Sequence, residues 1–281
     1  MRIDAYGIIR YDEKEVVSAG EHVLYGGEVR VRFDPGAHKY LVQDVRLGQR
    51  WSPRPSVTTI LSILDKSKSL VPWAGRCAQT KFHELIDAGR IYTQPELESF
   101  GYQIKGAHKE ELDRAGRIGT QVHEWIQKYL EAHAGRGAFP PPPTDPQVRS
   151  ACSAARAWIR AVDVKPFAIE RILYSRKHGV IGTTDLAGAP IINGRSAICD
   201  WKSSNRLHET YNLQLAAYRA MWHEMTGVWL DDRSLIRLDK TDLSFDPRCL
   251  PTEEADRDAN IFFALCDAFK LLQDAGFAVA A

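Results

Sequence analysis

The spacing of apolar residues changes character several times along the chain. Val29-Arg30-Val31-Arg32-Phe33 alternates, the pattern of a half-buried strand. Asp34-Pro35-Gly36 then signals a turn, and Lys39-Tyr40-Leu41-Val42 reads as the return strand. In Pro55-Ser56-Val57-Thr58-Thr59-Ile60-Leu61 a proline and hydroxyls precede an apolar run, as at the start of a helix. Pro72 fits the first turn of a helix carrying Trp73, Cys77, Leu85 and Ile86. Val122, Trp125, Ile126, Tyr129 and Leu130 predict a helix over 115–132. The cleanest amphipathic stripe follows: Val148, Ala151, Cys152, Ala155, Trp158, Ile159 and Val162. Strand-like segments come next, at 167–174, 180–187 and 197–202, with Asn193-Gly194 as a hairpin turn between the last two. A helix over 209–225 with Leu213, Ala217 and Met221 on one stripe, a strand over 228–238, and a closing helix over 252–272 with Ile261, Leu265, Phe269 and Leu272 inward complete the pattern.

These segments predict an α/β (α+β) protein, a mixed central β-sheet flanked by helices without a regular βαβ series. A β-rich segment over residues 1–54 is expected to pack on a main domain spanning 55–281. The stretch 135–146 contains four consecutive prolines, Pro140 to Pro143, and is expected to form an exposed, stiff connector. The chain has 281 residues, 44% hydrophobic and 26% charged, enough to bury a core without covalent staples. Lys and Arg number 37 against 36 Asp and Glu, a net charge of +1. That argues against bulk, histone-like binding of nucleic acid and leaves room for a local basic groove. No stretch approaches the roughly 18 uncharged apolar residues of a membrane helix, and Met1-Arg2-Ile3-Asp4 lacks an apolar signal core. The five cysteines, Cys77, Cys152, Cys199, Cys249 and Cys266, form no CxxC pair. Reduced thiols in a cytoplasm are the simple expectation, and neither a zinc site nor an iron–sulfur cluster fits the spacing.

The chemistry concentrates between residues 170 and 218. Residues two apart on a strand share a face, so Asp200 and Lys202 point one way and Trp201 the other, where it can pack under a helix. A hairpin at Asn193-Gly194 lays the strand of Asp185 beside that of Asp200. Neighbouring strands lie roughly 5 Å apart, so both carboxylates can reach one cation. Glu170, on the preceding strand, could add a third oxygen. Carboxylates so close must take up a proton or share a cation, and hard oxygen ligands suit Mg²⁺ or Mn²⁺. A lysine beside them can orient or deprotonate water, or offset charge on a phosphate, the combination that metal-assisted phosphodiester hydrolysis needs. An isolated D-x-K is most often an exposed, salt-bridged strand face; the ordered series of Asp185, Asp200, Lys202 and the helix after them points to a site. On that helix Gln214 and Tyr218 are i, i+4 and share a face.

Gly182-Thr183-Thr184-Asp185, Asp200-Trp201-Lys202 and Gln214-Leu215-Ala216-Ala217-Tyr218 resemble the G-x-x-D, D-x-K and Q-x-x-x-Y motifs of the PD-(D/E)XK nuclease superfamily in its RecB-like exonuclease branch, which includes the mitochondrial genome maintenance exonuclease and phage and bacterial relatives. Gly119-Thr120-Gln121-Val122-His123 is similar to the branch's G-x-x-x-H helix, and Pro55–Leu61 followed by Trp73-Ala74 to its opening segment. Thr184 stands where the superfamily name has Pro. The resemblance implies a restriction-endonuclease-like core. It implies catalytic Asp185, Asp200, Lys202 and Glu170, with a metal held by His123, Glu170, Asp185 and Asp200 as one or two Mg²⁺ or Mn²⁺ ions. Gln214 and Tyr218 would give support. No iron–sulfur cluster is carried over, since only Cys249 and Cys266 lie late in the chain.

The function expected is metal-dependent exonuclease action on single-stranded or end-bearing DNA in repair, recombination or phage DNA processing. The setting expected is a bacterial or phage-encoded cytoplasmic protein working with a recombination or helicase partner and no membrane. The alternatives are an endonuclease of the same fold, CRISPR- or recombination-associated, and a non-catalytic DNA-binding module. Lys66, Lys68, Arg76 and Lys81 near Trp73 read as a phosphate-tracking stripe with a stacking platform, or as a solvated helix face. There is no G-x-x-x-x-G-K-[ST], H-E-x-x-H or G-x-S-x-G.

Overall fold

Fourteen prolines and twenty glycines punctuate the chain, whose described residues form twelve strands and six α-helices. The computed structural model describes residues 2–3, 9–10, 16–18, 20–34, 36–37, 39–192, 195–204, 206–250, 252–277 and 279. The hairpin signal at Asn193-Gly194 and the turn residue Pro35 lie outside the described residues. The chain divides into two compact units, Leu64–Gln121 and the remainder, Met1–Ile63 with Val122–Ala281.

The larger unit begins with the two-residue pair β1 (Arg2–Ile3) and β2 (Ile9–Arg10). An antiparallel five-stranded sheet follows, in the order β3 (Val16–Ser18), β4 (Glu21–Leu24), β5 (Val29–Asp34), β6 (Lys39–Asp44), β7 (Ser52–Arg54). Alternation puts Val29, Val31, Tyr40 and Val42 on one buried face, where they meet Ile172, Tyr174 and Ile181 of the central sheet. Polar contacts join the same surfaces: Tyr40 Oη lies 3.0 Å from Thr183 Oγ1, and Arg176 pairs with Glu28 at 2.7 Å and Asp44 at 2.9 Å. Ser56 caps α1 (Val57–Leu61) by accepting from the Thr59 amide at 3.0 Å.

In the smaller unit, α2 (Ser67–Leu85) starts one turn earlier than the Pro72 signal implies. The Asp65 carboxylate accepts from the Ser67 amide and hydroxyl, fixing the start there, so Pro72 sits inside the helix rather than in its first turn. Helix α3 (Gln94–His133) runs 40 residues, far beyond the predicted 115–132, and the unit boundary falls within it. Its start is a capping contact: Glu96 accepts from both the amide and the hydroxyl of Thr93. The long first part escaped the periodicity reading because Leu97, Tyr102 and Leu112 are exposed.

The central sheet of the larger unit has the order β12-β11-β10-β9-β8. Helix α4 (Pro146–Val162) precedes it, capped by Asp145, which accepts from the amides of Gln147 and Val148. Strands β8 (Lys165–Ser175), β9 (Val180–Ile192) and β10 (Arg195–Lys202) form an antiparallel meander; α5 (Thr210–Thr226) then crosses over to β11 (Asp232–Leu238), parallel to β10. The edge strand β12 (Phe245–Leu250), not foreseen, carries Pro247, which an edge tolerates. Helix α6 (Ala255–Asp274) packs on α5. The result is a mixed sheet flanked by helices. Trp201 stands edge-on to Trp158 of α4, ring centroids 5.2 Å apart, while the next residue, Lys202, lies over the Tyr211 ring of α5. Adjacent strand residues thus address helices on opposite faces. Helix α5 is buried nearly all round, from Gln214 to Trp222, instead of along the expected single stripe. On α6 Phe269 is buried as expected, but Ile261 is exposed and Ala255, Phe262 and Cys266 are buried in its stead, a face that also buries Asp258 against Arg233 at 2.8 Å. No helix among the described residues is long and apolar enough to cross a membrane.

Trp158 is fully buried and holds α4 to the strand that bears Asp200 and Lys202. Trp158→Ala should destabilise the larger unit by about 3–5 kcal/mol in urea-induced unfolding followed by far-UV circular dichroism.

Candidate metal centre

The centre forms where two paired strands part. The backbone register of β9 with β10 runs to Leu186–Cys199. One step on, the Trp201 amide donates to Asp185 Oδ2 at 2.8 Å, so a side chain takes the bond that a backbone carbonyl would otherwise accept. Asp185 and Asp200 occupy this fork. On the other side of β9, Glu170 falls between the pairs Ile169–Leu186 and Arg171–Thr184, the register position of Asp185. Glu170 has φ +47, a left-handed conformation that costs a non-glycine residue energy inside a strand.

His123 comes to the same place from α3. Its Nδ1 is 3.5 Å from Asp185 Oδ2 and 4.0 Å from Glu170 Oε1. One ligand atom from each of His123, Glu170 and Asp185 lies within 4.8 Å of the other two. Asp185 is 8% exposed, while His123 and Glu170 are 33% and 27% exposed, so the cluster is buried at its base and open at its rim.

Asp200 is not in this three-residue group. Its carboxylate is engaged by Lys202, Oδ2 to Nζ 2.5 Å, and the ammonium also lies 4.7 Å from the centre of the Tyr211 ring. Asp200 still acts on the group through its charge.

Each protonation state has a definable cause. Burial alone would lower the His123 pKa, but attraction from Asp185, then Asp200 and Glu170, raises it to about 9. Glu170 is pushed up to about 8 by burial and repulsion from Asp185, against the pull of His123. Burial also lifts Asp200, which settles near about 6 because Lys202 opposes the repulsion from Asp185. Asp185 stays low despite its burial, held down by His123, Lys202 and the Trp201 amide. For Lys202 the burial penalty is outweighed by Asp200 and Asp185, and its pKa rises.

Behind the centre, Gln214 Nε2 donates to Tyr218 Oη at 3.2 Å, and both side chains are buried. Gly182 permits that packing: a Cβ there would sit 2.7 Å from Tyr218 Cε1 and 3.2 Å from Val57 Cγ2. Two residues of the site went unrecognised in the sequence. Glu131, two turns beyond His123 on α3, adds repulsion on Glu170; Tyr211 covers Lys202. The i, i+4, i+8 series His123, Gln127, Glu131 was the available signal for the first, and Gln127 does donate to Glu131 at 3.1 Å. Lys66, Lys68, Trp73 and Arg76 belong to the smaller unit, at the start of α2 and along it; the three cations are exposed and Trp73 is half-buried.

The donor set, one imidazole and two carboxylates with a charge-raised Glu170, fits a divalent cation with hard or borderline preference. Below about pH 8 a proton occupies Glu170, and below about pH 9 another occupies His123. A cation must displace both, so affinity should increase as pH rises toward these values and level off above them. Isothermal titration with Mn²⁺ should give a dissociation constant falling by up to about tenfold per pH unit for each displaced proton. Glu170→Gln should weaken binding and flatten that dependence. Gly182→Ala should cost about 1–3 kcal/mol of stability by forcing the pinned Tyr218 ring aside, read as a lowered urea midpoint. In comparison with known proteins, the chain matches no family model and no curated protein.

Proposed function

We propose that this protein is a Mg²⁺- or Mn²⁺-dependent deoxyribonuclease, an exonuclease acting on single-stranded or end-bearing DNA, built on a restriction-endonuclease-like core. The observation that carries the reading is the His123, Glu170, Asp185 cluster with the Lys202 ammonium, fixed by Asp200, beside it. Held by His123, Glu170 and Asp185, a divalent ion would supply Lewis-acid polarisation of the phosphodiester and a more acidic water. Lys202 keeps its proton through the neutral range, so its part is to donate hydrogen bonds and positive charge to a phosphate oxygen or to orient water; it is not a base. Asp200 holds that ammonium in place. The Trp201 amide anchors Asp185, and Gln214 with Tyr218 backs the strand.

The choice of DNA and of exonuclease action rests on the motif resemblance of Gly182–Asp185, Asp200–Lys202 and Gln214–Tyr218. The exposed Lys66, Lys68 and Arg76 with Trp73 add a basic face: no acidic residue interrupts the chain from Lys66 to His83. In this reading that face tracks the phosphates of the strand.

End-labelled single- and double-stranded DNA and RNA, incubated with Mg²⁺, Mn²⁺ or EDTA, test the proposal. Metal-dependent release of nucleotides from DNA is expected, with circular single strands left intact. Asp185→Asn should abolish it, and Lys202→Ala should lower kcat by at least about a hundredfold with the native far-UV circular dichroism spectrum retained. Full activity in either variant overturns the assignment. Cleavage of circles converts it to an endonuclease, and binding without cleavage leaves a non-catalytic DNA-binding module.

A further inference from the structure

Away from the metal centre, a cleft of about 250 Å³ lies between the second half of α3, the proline run and α4. Trp125 and Tyr129, one turn apart on α3, stack with centroids 5.1 Å apart and planes inclined by 14°. Phe139 leans against Tyr129 at 5.0 Å. The proline run is tied down as a wall: Trp125 Nε1 donates to the Pro141 carbonyl at 2.8 Å, and Arg149 donates to the carbonyls of Pro143 and Thr144 at 2.8 and 3.1 Å. Arg156 and Arg160, i, i+4 on the exposed side of α4, complete the lining. Neither guanidinium has an ion pair or hydrogen bond among the described residues, and no carboxylate is among the lining residues.

This cleft is separate from the metal centre. At about 100° per residue, Trp125 and His123 flank opposite sides of the buried stripe Val122, Ile126 and Leu130. One flank faces Glu170 and Asp185, the other the proline wall.

We propose that the cleft binds one nucleotide of single-stranded DNA, its base against the exposed Phe139 ring and Trp125, which the buried Tyr129 backs, and its phosphate on Arg156 and Arg160. An aromatic wall of Phe139 and Trp125 beside fork-shaped cations matches a ligand that is planar and apolar at one end and a phosphate at the other. An acidic peptide would satisfy the arginines and make no use of the aromatic wall. The choice of DNA among such anions rests on the nuclease reading. The role is to hold the strand at a second point, away from the reacting phosphate.

Fluorescence anisotropy with a labelled oligo-dT of about ten nucleotides, in EDTA and in an Asp185→Asn background, tests this without requiring cleavage. Arg156→Glu/Arg160→Glu should weaken binding at least about tenfold, and Phe139→Ala about fivefold, with melting temperatures unchanged. The charge-matched pair Lys177→Glu/Lys270→Glu should change it less than about twofold. An abasic oligonucleotide of equal length should bind about tenfold more weakly than oligo-dT. Unchanged affinity in the arginine variant, equal affinity for the abasic strand, or equally effective competition by polyglutamate overturns the proposal. Absence of DNA hydrolysis with this binding pattern intact sinks the nuclease reading alone; hydrolysis present with the binding pattern absent sinks the cleft alone.

Discussion

Three carboxylates gathered near the end of a sheet repel one another, and the surrounding structure is organised around offsetting that repulsion. Two of them, Asp185 and Asp200, are almost wholly buried. A buried carboxylate without partners would take up a proton. Asp185 remains ionised because an imidazole, an ammonium and a backbone amide surround it. They come from two elements: His123 from α3, and the Trp201 amide and Lys202 from the end of β10, where it leaves β9. Removing the fork would restore a ladder bond and take away the reason for Asp185 to be there.

The same constraint reaches outward into packing. Lys202 and Asp200 can face the fork only if Trp201 faces the opposite side, and Trp158 of α4 supplies the buried surface that receives it. On the near side, Tyr211, Gln214 and Tyr218 of α5 form the cover, and Tyr218 reaches the sheet only because residue 182 has no side chain. The N-terminal sheet closes the next stretch of β8 and β9 through Tyr40 and Arg176. The left-handed Glu170 belongs to this account as well. Glu170 stands opposite Asp185 in the register of β8 and β9, and its left-handed backbone is a cost borne at the position where a third carboxylate meets Asp185.

How much of this the chain discloses depends on whether a signal is local. The stripe on α4 and the three strands of the meander follow from period alone, because each element buries one face or alternates between two. Asp200, Trp201 and Lys202 were legible for the same reason: strand alternation assigns their faces without knowledge of the rest. The extent of α3 was not legible, since its first half exposes Leu97, Tyr102 and Leu112 and is started by Thr93 and Glu96 rather than by an apolar stripe. The inward face of α6 was misread by one residue, because Asp258 counts as polar until Arg233 is found across from it. The grouping of His123 and Glu170 with Asp185, without Asp200, depends on how α3 meets β8 and on a backbone kink, and neither has a pattern of period two or 3.6.

The two positive charges at the centre differ in kind, and that difference gives the site its logic. Lys202 is held by Asp200 and shielded by Tyr211, and its raised pKa makes its charge permanent. His123 carries a charge that it can give up. At neutral pH, without a cation, the imidazolium and the proton on Glu170 together offset what the carboxylates cannot tolerate among themselves. A divalent ion held there would take the place of both protons, and the charge of the cluster would be the same before and after. An exchange of two protons for one doubly charged ion needs no new counter-charge and no rearrangement of the buried base. Asp185 and Lys202 hold their states throughout, and only the partly exposed rim, His123 and Glu170, changes. Exchange at the rim over a fixed base would let a buried cluster of like charges take up and release a cation without unfolding the strands that carry it.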